Sequence, residues 1–259
     1  MGITAQHQIP CILSLLIKIL TSIPVARNPS KLRAFLESEH SLSSSTISCY
    51  LTIIKGDARS PINVTQTLIS PTNQRHLVDV IYSSIGAYPK FQWSLRTPFV
   101  SSDPTLCEDG MKSIYTALGQ LSTSGVTATI DGTKPLLIAL SSTGVNGRAR
   151  DIPYLYYPLY HILAAQPHAD KRAMEQLILG HGGAHIRNFA IVRPTALTDA
   201  KEVGVENVRA GWEWGVETEG KEDGPAIGWT VGRRDVGAWI FRKVIAEGGW
   251  EGRCISLTS

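Results

Sequence analysis

Pro135-Leu-Leu-Ile-Ala-Leu140, running into Ser141-Ser142-Thr143-Gly144, is a continuous apolar run that stops on three hydroxyls and a glycine. A short run without polar alternation suits a strand buried on both faces, the setting of a parallel sheet covered by helices. Three runs of the same kind flank it. Leu51-Thr-Ile-Ile54 ends in Lys55-Gly56-Asp57, and Leu77 to Ile85 carries Val78, Val80 and Ile81. Phe189-Ala-Ile-Val192 leads into Arg193-Pro194. Helical segments lie between the runs, clearest over Cys107 to Leu121 and Asp170 to Leu179, each with acidic residues near its start. Strand–helix alternation predicts an α/β fold with a doubly wound parallel sheet. Such folds bind ligands at the carboxyl ends of their strands. Here those ends are Gly56-Asp57, Ser84-Ile85-Gly86, Ser141 to Gly144 and Arg193-Pro194-Thr195.

The 259 residues are 43% hydrophobic and 18% charged, enough apolar material for a core and too little charge for a disordered chain. A net charge of +3 without a basic cluster argues against a nucleic-acid partner. Cys11, Cys49, Cys107 and Cys254 are widely spaced, with no C-x-x-C pair. That spacing fits neither a zinc cluster nor a disulfide framework and suggests a reducing compartment, the cytoplasm. Asn63-Val64-Thr65 matches the glycosylation triplet, which matters only in a secreted chain. Ile9 to Ile23 is apolar but broken by Pro10 and Lys18, too short for a membrane span. Residues 1–8 lack the Lys or Arg of a signal peptide. Ile12, Leu15, Leu16 and Ile19 recur at helical spacing, so a buried helix is expected.

Ser41 to Ser48 reads as a loop. From about residue 204 to 252 the chain is rich in Gly and Trp, and Arg234-Asp235-Val236-Gly237 opens a helical stretch to about Ala246. This region is expected to form a smaller lobe on a single domain spanning 1–259, with its Trp residues in packing.

An ordered set of segments resembles the NmrA-like, atypical short-chain dehydrogenases, and within them the fungal averufin-oxidase-like group. The segments are Ala26 to Leu32, Thr52 to Asp57, Ile81 to Gly86, Ile138 to Val145, Arg150 to Tyr154, Tyr160-His161, Pro167 to Glu175, Ile191 to Thr195 and Arg233 to Val236. The resemblance covers roughly residues 23–257 and implies a Rossmann-like NAD(P)-binding domain. The chain departs from that pattern at its start. No glycine occurs between Gly2 and Gly56, and no G-x-G-x-x-G occurs anywhere. The first strand and the Gly-rich turn that brings backbone N–H groups to a pyrophosphate are missing from the pattern. Three accounts stand open: a gene model lacking its first exon, a variant that has lost tight cofactor binding, or a makeshift turn from residues 1–12, whose side chains would hinder close approach.

The resemblance assigns candidate roles. Arg27 and Lys31, after the second strand, would receive the 2′-phosphate of NADP; otherwise they form a solvated basic turn. Asp57 would lie near the adenine, or cap a turn. Ser84 and Gly86 would pass beneath the ribose. Ser141, Ser142 and Thr143 end the strand nearest the nicotinamide, where a hydroxyl polarises a carbonyl or satisfies backbone. Arg193, Pro194 and Thr195 would approach the carboxamide. Lys171 is the general-acid candidate, with a pKa lowered by desolvation, unless it simply pairs with Glu175 on a solvated helical turn. The usual Tyr-x-x-x-Lys is absent; Tyr157-x-x-x-His161 is the nearest arrangement. The catalytic candidates are therefore Lys171, Ser142 and Tyr160. His181 and His185 have helical metal-pair spacing, but Gly180, Gly182 and Gly183 argue against a helix, and no metal is expected.

These readings imply an NADP-dependent oxidoreductase acting on a small hydrophobic metabolite, in fungal secondary metabolism of polyketide type. No membrane partner is expected. The alternatives are a non-catalytic dinucleotide sensor and a cofactor-independent isomerase, cyclase or inactive homologue.

Overall fold

The computed structural model describes residues 21–87, 89–91, 93, 99–145, 150–156, 165–215 and 222–259. Its centre is a five-stranded sheet. In sequence it comprises β3 (Val80–Ser83), β6 (Leu136–Leu140), β7 (Asn188–Pro194), β9 (Arg209–Trp214) and β11 (Arg253–Thr258). The spatial order is β3-β6-β7-β11-β9. The first four run parallel, and β9 closes the edge antiparallel to β11. β1 (Val25–Ala26) and β2 (Ile54–Lys55) form a separate parallel pair. β4 (Pro89–Phe91) pairs antiparallel with β5 (Phe99–Ser101), and β8 (Ala196–Thr198) pairs parallel with β10 (Thr230–Gly232). Among the described residues no strand bridges β1 to β3.

The alternation of β6 shows how one sequence run serves two cores. Leu136, Ile138 and Leu140 pack on one face, and Leu137 and Ala139 on the other. The first face is covered by α1 (Pro29–His40), α2 (Ser44–Tyr50) and α6 (Arg233–Trp239), the last continuing as a π-helical stretch over Ile240–Glu247. The second is covered by α3 (Pro61–Leu68), α4 (Leu106–Thr123) and α5 (Ala165–Leu179). Each buried Leu, Ile or Met contributes about 1.5–3 kcal/mol, so a run apolar at every position is what a doubly covered strand requires.

The doubly wound α/β expectation holds, with differences at the margins. The Ser41–Ser48 segment contains a helix rather than a loop throughout. Ser43 caps α2, its hydroxyl accepting from the Thr46 N–H at 3.1 Å, and Ile47 is fully buried. A Ser-rich stretch became helical because Ser is as good a cap as it is a turn residue. The 204–252 region supplies β9 to the central sheet and β10 to the small pair beside it. Asp235, buried at the start of α6, accepts from the N–H groups of Val203 and Gly204 and pins this region to the fold. The expected N-terminal helix and the Tyr157–His161 arrangement lie outside the described residues. Among the described residues no helix is long and apolar enough to cross a membrane.

Candidate functional site

The carboxyl ends of the parallel strands present two groups of side chains. The first forms where β1 and β2 end. The register Ala26↔Lys55 sets Arg27 beside the Gly56-Asp57 turn, and Arg27 Nη2 lies 3.1 Å from Asp57 Oδ2. Asp57 also accepts from the Arg59 N–H at 2.9 Å and from its guanidinium, which reaches on to Asp103. Burial works to raise the Asp57 carboxyl, but the Arg59 hydrogen bonds and the Arg27 and Arg59 charges outweigh it and hold it below its usual value. Gly56 is required here: a Cβ would fall 2.5 Å from Asn63 Cγ. Asn63 is no free glycosylation acceptor in this fold, since its Oδ1 accepts from the Asp57 N–H at 3.1 Å inside α3. Lys31 stands exposed in the first turn of α1, its N–H capped by Asn28.

The second group lies between β3, β6 and α5. Ser83, Ser84 and Ser141 are buried, and none of their hydroxyls has a hydrogen-bond partner among the described residues. Buried hydroxyls without partners are costly, and a water or a ligand can supply the missing bond. Among the described residues, a Cβ on Gly86 would meet nothing within 4 Å. Lys171, on α5, donates from Nζ to the Ser141 carbonyl at 2.9 Å. Burial pushes its ammonium pKa down, while Cys107, Glu175 and Asp170 pull it back up.

Lys171 is aimed by its neighbour. Asp170 is buried and accepts from the Cys107 and Glu108 N–H groups, each at 2.9 Å, so it caps α4 from another helix. The Cys107 thiol donates to the Ile85 carbonyl at 3.2 Å, and burial pushes its pKa up to about 12. A Cβ on Gly110 would sit 2.5 Å from Ile85 Cδ1, so a larger residue there would make the tip of the Ile85 side chain shift. One chain of contacts thus runs from β3 through α4 to the start of α5.

Arg193, at the end of β7, is held by carboxylates on both sides. Its guanidinium binds Glu175 with two hydrogen bonds of 2.9 and 2.6 Å, and Glu213 of β9 with a further short contact. Burial alone would lower the Arg193 pKa, but the two carboxylates more than reverse that. Glu175 pairs with Arg193 and not with Lys171. Thr195 donates from its N–H to the Leu257 carbonyl, and its hydroxyl lies 3.3 Å from that of Thr258. Pro194 ends β7, and its carbonyl accepts from the Thr143 N–H. Ser142 is half-buried beside Ser141. Tyr160 lies outside the described residues.

A cavity of about 440 Å³ adjoins the triad and begins at Val145, with Glu175, Leu179, Arg193, Glu213 and Cys254 on its walls. Above it Asp151, buried, accepts from the Gly144 N–H with both carboxylate oxygens, at 3.0 and 2.9 Å. Neither Asp151 nor Glu213 stood out in the sequence. The signal for Asp151 was an acid among the apolar and Pro residues of Arg150-Asp-Ile-Pro, downstream of the Thr-Gly turn it caps. His181 stacks on Tyr115 with centroids 3.8 Å apart and accepts from the His185 N–H, so this pair organises a turn. Among the described residues no three His, Cys, Asp or Glu side chains are grouped to hold a metal ion.

No family model matches the chain. It is 32% identical over 268 residues to the reductase pytE of Aspergillus terreus, covering 99% of this chain and 95% of that protein. It is 33% identical over 263 residues to the oxidase pynE of Aspergillus niger, covering 92% and 89%. Among solved structures, a wide-type short-chain dehydrogenase/reductase from Veillonella parvula in complex with NADP superposes with a TM-score of 0.60 at 14% identity, covering 100% of this chain and 93% of that one. A Rossmann-fold NAD(P)-binding family protein from Shigella flexneri gives a TM-score of 0.55 at 16% identity, covering 100% and 91%. At these identities the structural likenesses concern the fold.

Proposed function

We propose that this chain, which belongs to the family of Rossmann-fold oxidoreductases shared with the two Aspergillus proteins, is an NADP-dependent enzyme. It would move hydride between the nicotinamide and a carbonyl, or a conjugated double bond, of a small hydrophobic metabolite. The observation that carries the reading is the junction of Lys171 with Ser141, beside buried Ser hydroxyls that lack partners. NADP is a fit for the described residues at both ends of the strand edge. Arg27 offers a guanidinium that is 52% exposed and paired with the Asp57 carboxylate, and Lys31 adds a second cation. Among the described residues, Ser84, Gly86 and Ser141 offer open space and unmet hydrogen-bonding capacity at the other end.

When bound, the cofactor supplies or accepts the hydride, and the protein supplies orientation and charge. Arg27 and Lys31 would hold the 2′-phosphate. Ser84, Ser141 and Ser142 would donate to ribose or substrate oxygens, with Arg193, Pro194 and Thr195 fixing the strand exit beside them. The Lys171 ammonium, with its pKa lowered by burial, stands ready to give a proton to an oxygen that gains charge during reduction. Its anchor on the Ser141 carbonyl holds Nζ in place without consuming all three of its protons. The cavity from Val145 to Cys254 has the size of a small-molecule pocket. The fungal relatives are a reductase and an oxidase, which supports redox chemistry; a secondary, polyketide-type metabolite as substrate and a cytoplasmic location are part of this proposal. The test is NADPH-dependent reduction of an aromatic quinone or ketone by the purified chain. Turnover with NADPH preferred over NADH is the expected result. Tight dinucleotide binding without turnover of any carbonyl would favour the sensor reading, and no binding by a folded chain would favour cofactor-independent isomerisation.

A further inference from the structure

The segment Ser141–Val145 leaves β6 and is gripped from three sides. β7 holds its backbone, with Ser141 N–H donating to the Val192 carbonyl at 2.7 Å and Thr143 N–H to the Pro194 carbonyl at 3.1 Å. α5 holds two of its carbonyls, Lys171 at Ser141 and Arg172 at Val145, the latter at 3.2 Å. The third grip is the Asp151 carboxylate on the Gly144 N–H. Gly144 has φ +83, a conformation that side-chain-bearing residues rarely adopt and glycine takes readily, and the Asp151 carboxylate holds the turn in this form. Asp151 is 2% exposed, and this N–H is the donor it meets with both oxygens.

We propose that Asp151 is a positioning residue for the reaction, its carboxylate clamping the turn at Gly144 so that the Ser141 carbonyl and the Ser142 hydroxyl stand where Lys171 and a substrate need them. This rests on the oxidoreductase reading above for its catalytic consequence, though the clamp itself does not. Protonation removes the charge and leaves the group a weaker acceptor for the Gly144 N–H, so the clamp is tightest when Asp151 is ionised. The clamp is therefore linked to pH. Burial pushes the Asp151 carboxyl up to about 6, opposed by the Gly144 hydrogen bond and by the Arg193 charge from β7, and assisted by Glu213 from β9. The other charges around the segment are tied elsewhere: Glu175 to Arg193, Lys171 to Ser141, Arg172 to Val145, and Arg150 to the Ile152 carbonyl. Loosening the turn at low pH frees Gly144 and, through Ser141, the carbonyl that anchors Lys171.

Two measurements on the full chain test the clamp. The first follows the Gly144 amide by ¹H–¹⁵N correlation spectroscopy between about pH 5 and 7.5. The native chain is expected to show a titration with its midpoint near pH 6, and Asp151→Asn, which keeps the volume and one acceptor, is expected to abolish it. The second follows kcat/KM for NADPH-dependent reduction of phenanthrenequinone. The native value is expected to fall about tenfold from pH 7.5 to 5, as one group of that pKa requires. Asp151→Asn should lose that limb while keeping its NADPH affinity within about twofold. A carboxylate that merely stabilised the turn would give the same amide titration, but its removal would leave the pH limb of kcat/KM in place. An amide that does not titrate in this range, or an Asn variant that keeps the limb, overturns the proposal. If the native chain turns over no carbonyl, the oxidoreductase reading fails, while the amide titration still decides whether the clamp exists.

Discussion

The Arg27–Asp57–Arg59 cluster and the Glu175–Arg193–Glu213 triad are each built from three alternating charges, yet Arg27 keeps 52% of its side chain in water and Arg193 keeps 7%. The exposed cluster has opposite polarity, two cations around one anion, and leaves an arginine that can turn to a new partner. Ion pairs of that kind contribute between nothing and about 1 kcal/mol and are weakened by salt. The buried triad has one cation between two anions, with its side chains less than a tenth exposed. Desolvation makes its net worth small, but losing one member is severe. The difference separates two tasks along one strand edge. On the proposed reading the β1–β2 end would exchange partners with a ligand phosphate, while the α5–β7–β9 end holds the helix that carries Lys171.

Breaking the triad should have the largest effect. Arg193→Met leaves Glu175 and Glu213 buried together, and urea unfolding should show a loss of about 3–5 kcal/mol. A loss below about 1 kcal/mol would mean that water reaches the triad. Lys171→Met comes next. It should lower kcat for quinone reduction about 100-fold while leaving NADPH affinity near native, the pattern of a proton donor used mainly in the transition state. A kcat within about twofold of native would contradict that role and point to solvent as the donor.

The pH dependence of stability sharpens the contrast in the other direction. Asp151 is raised to about 6 in the folded chain. A raised folded pKa contributes stability that is fully present below the unfolded value and lost as pH rises through the folded one. Asp151 should therefore cost the native chain up to about 3 kcal/mol between pH 4 and 7, an upper bound set by a shift of about two units. Asp151→Asn should flatten that part of the profile in thermal unfolding scans taken across the range. Asp57, held low beside two arginines, acts oppositely: its stability is present above its unfolded pKa and is lost as pH falls below it. Its partial exposure keeps that contribution small. The smallest change in stability is expected for Arg27→Ala, within about 1 kcal/mol. The same variant should weaken NADPH binding about tenfold and leave NADH unchanged in calorimetry.

The parallel strands were legible because doubly covered strands must be apolar at every position, as β6 is. The edge strand β9 was not, since Arg209-Ala-Gly-Trp-Glu-Trp214 mixes charge, glycine and aromatics to suit a strand with one partner. Ser43 looked like a turn residue because capping a helix and making a turn use the same side-chain oxygen. Among site residues, Lys171 and Ser141 were legible from their motifs, and the structure joins them at 2.9 Å. Arg193 was legible as a site residue but not in its pairing. Its two carboxylate partners lie 18 and 20 residues away, on elements whose packing no local pattern specifies. Glu175 had a nearer candidate in Lys171, and only the burial of α5 on β7 decides between the two.

The central claim is that the strand edge from Arg27 to Ser141 takes a dinucleotide although no glycine stands between Gly2 and Gly56. Isothermal titration of the full chain with NADPH and with NADH tests it most directly. The account predicts saturable binding of both, with NADPH the tighter. A chain that unfolds cooperatively, and is therefore folded, yet binds neither dinucleotide would contradict it.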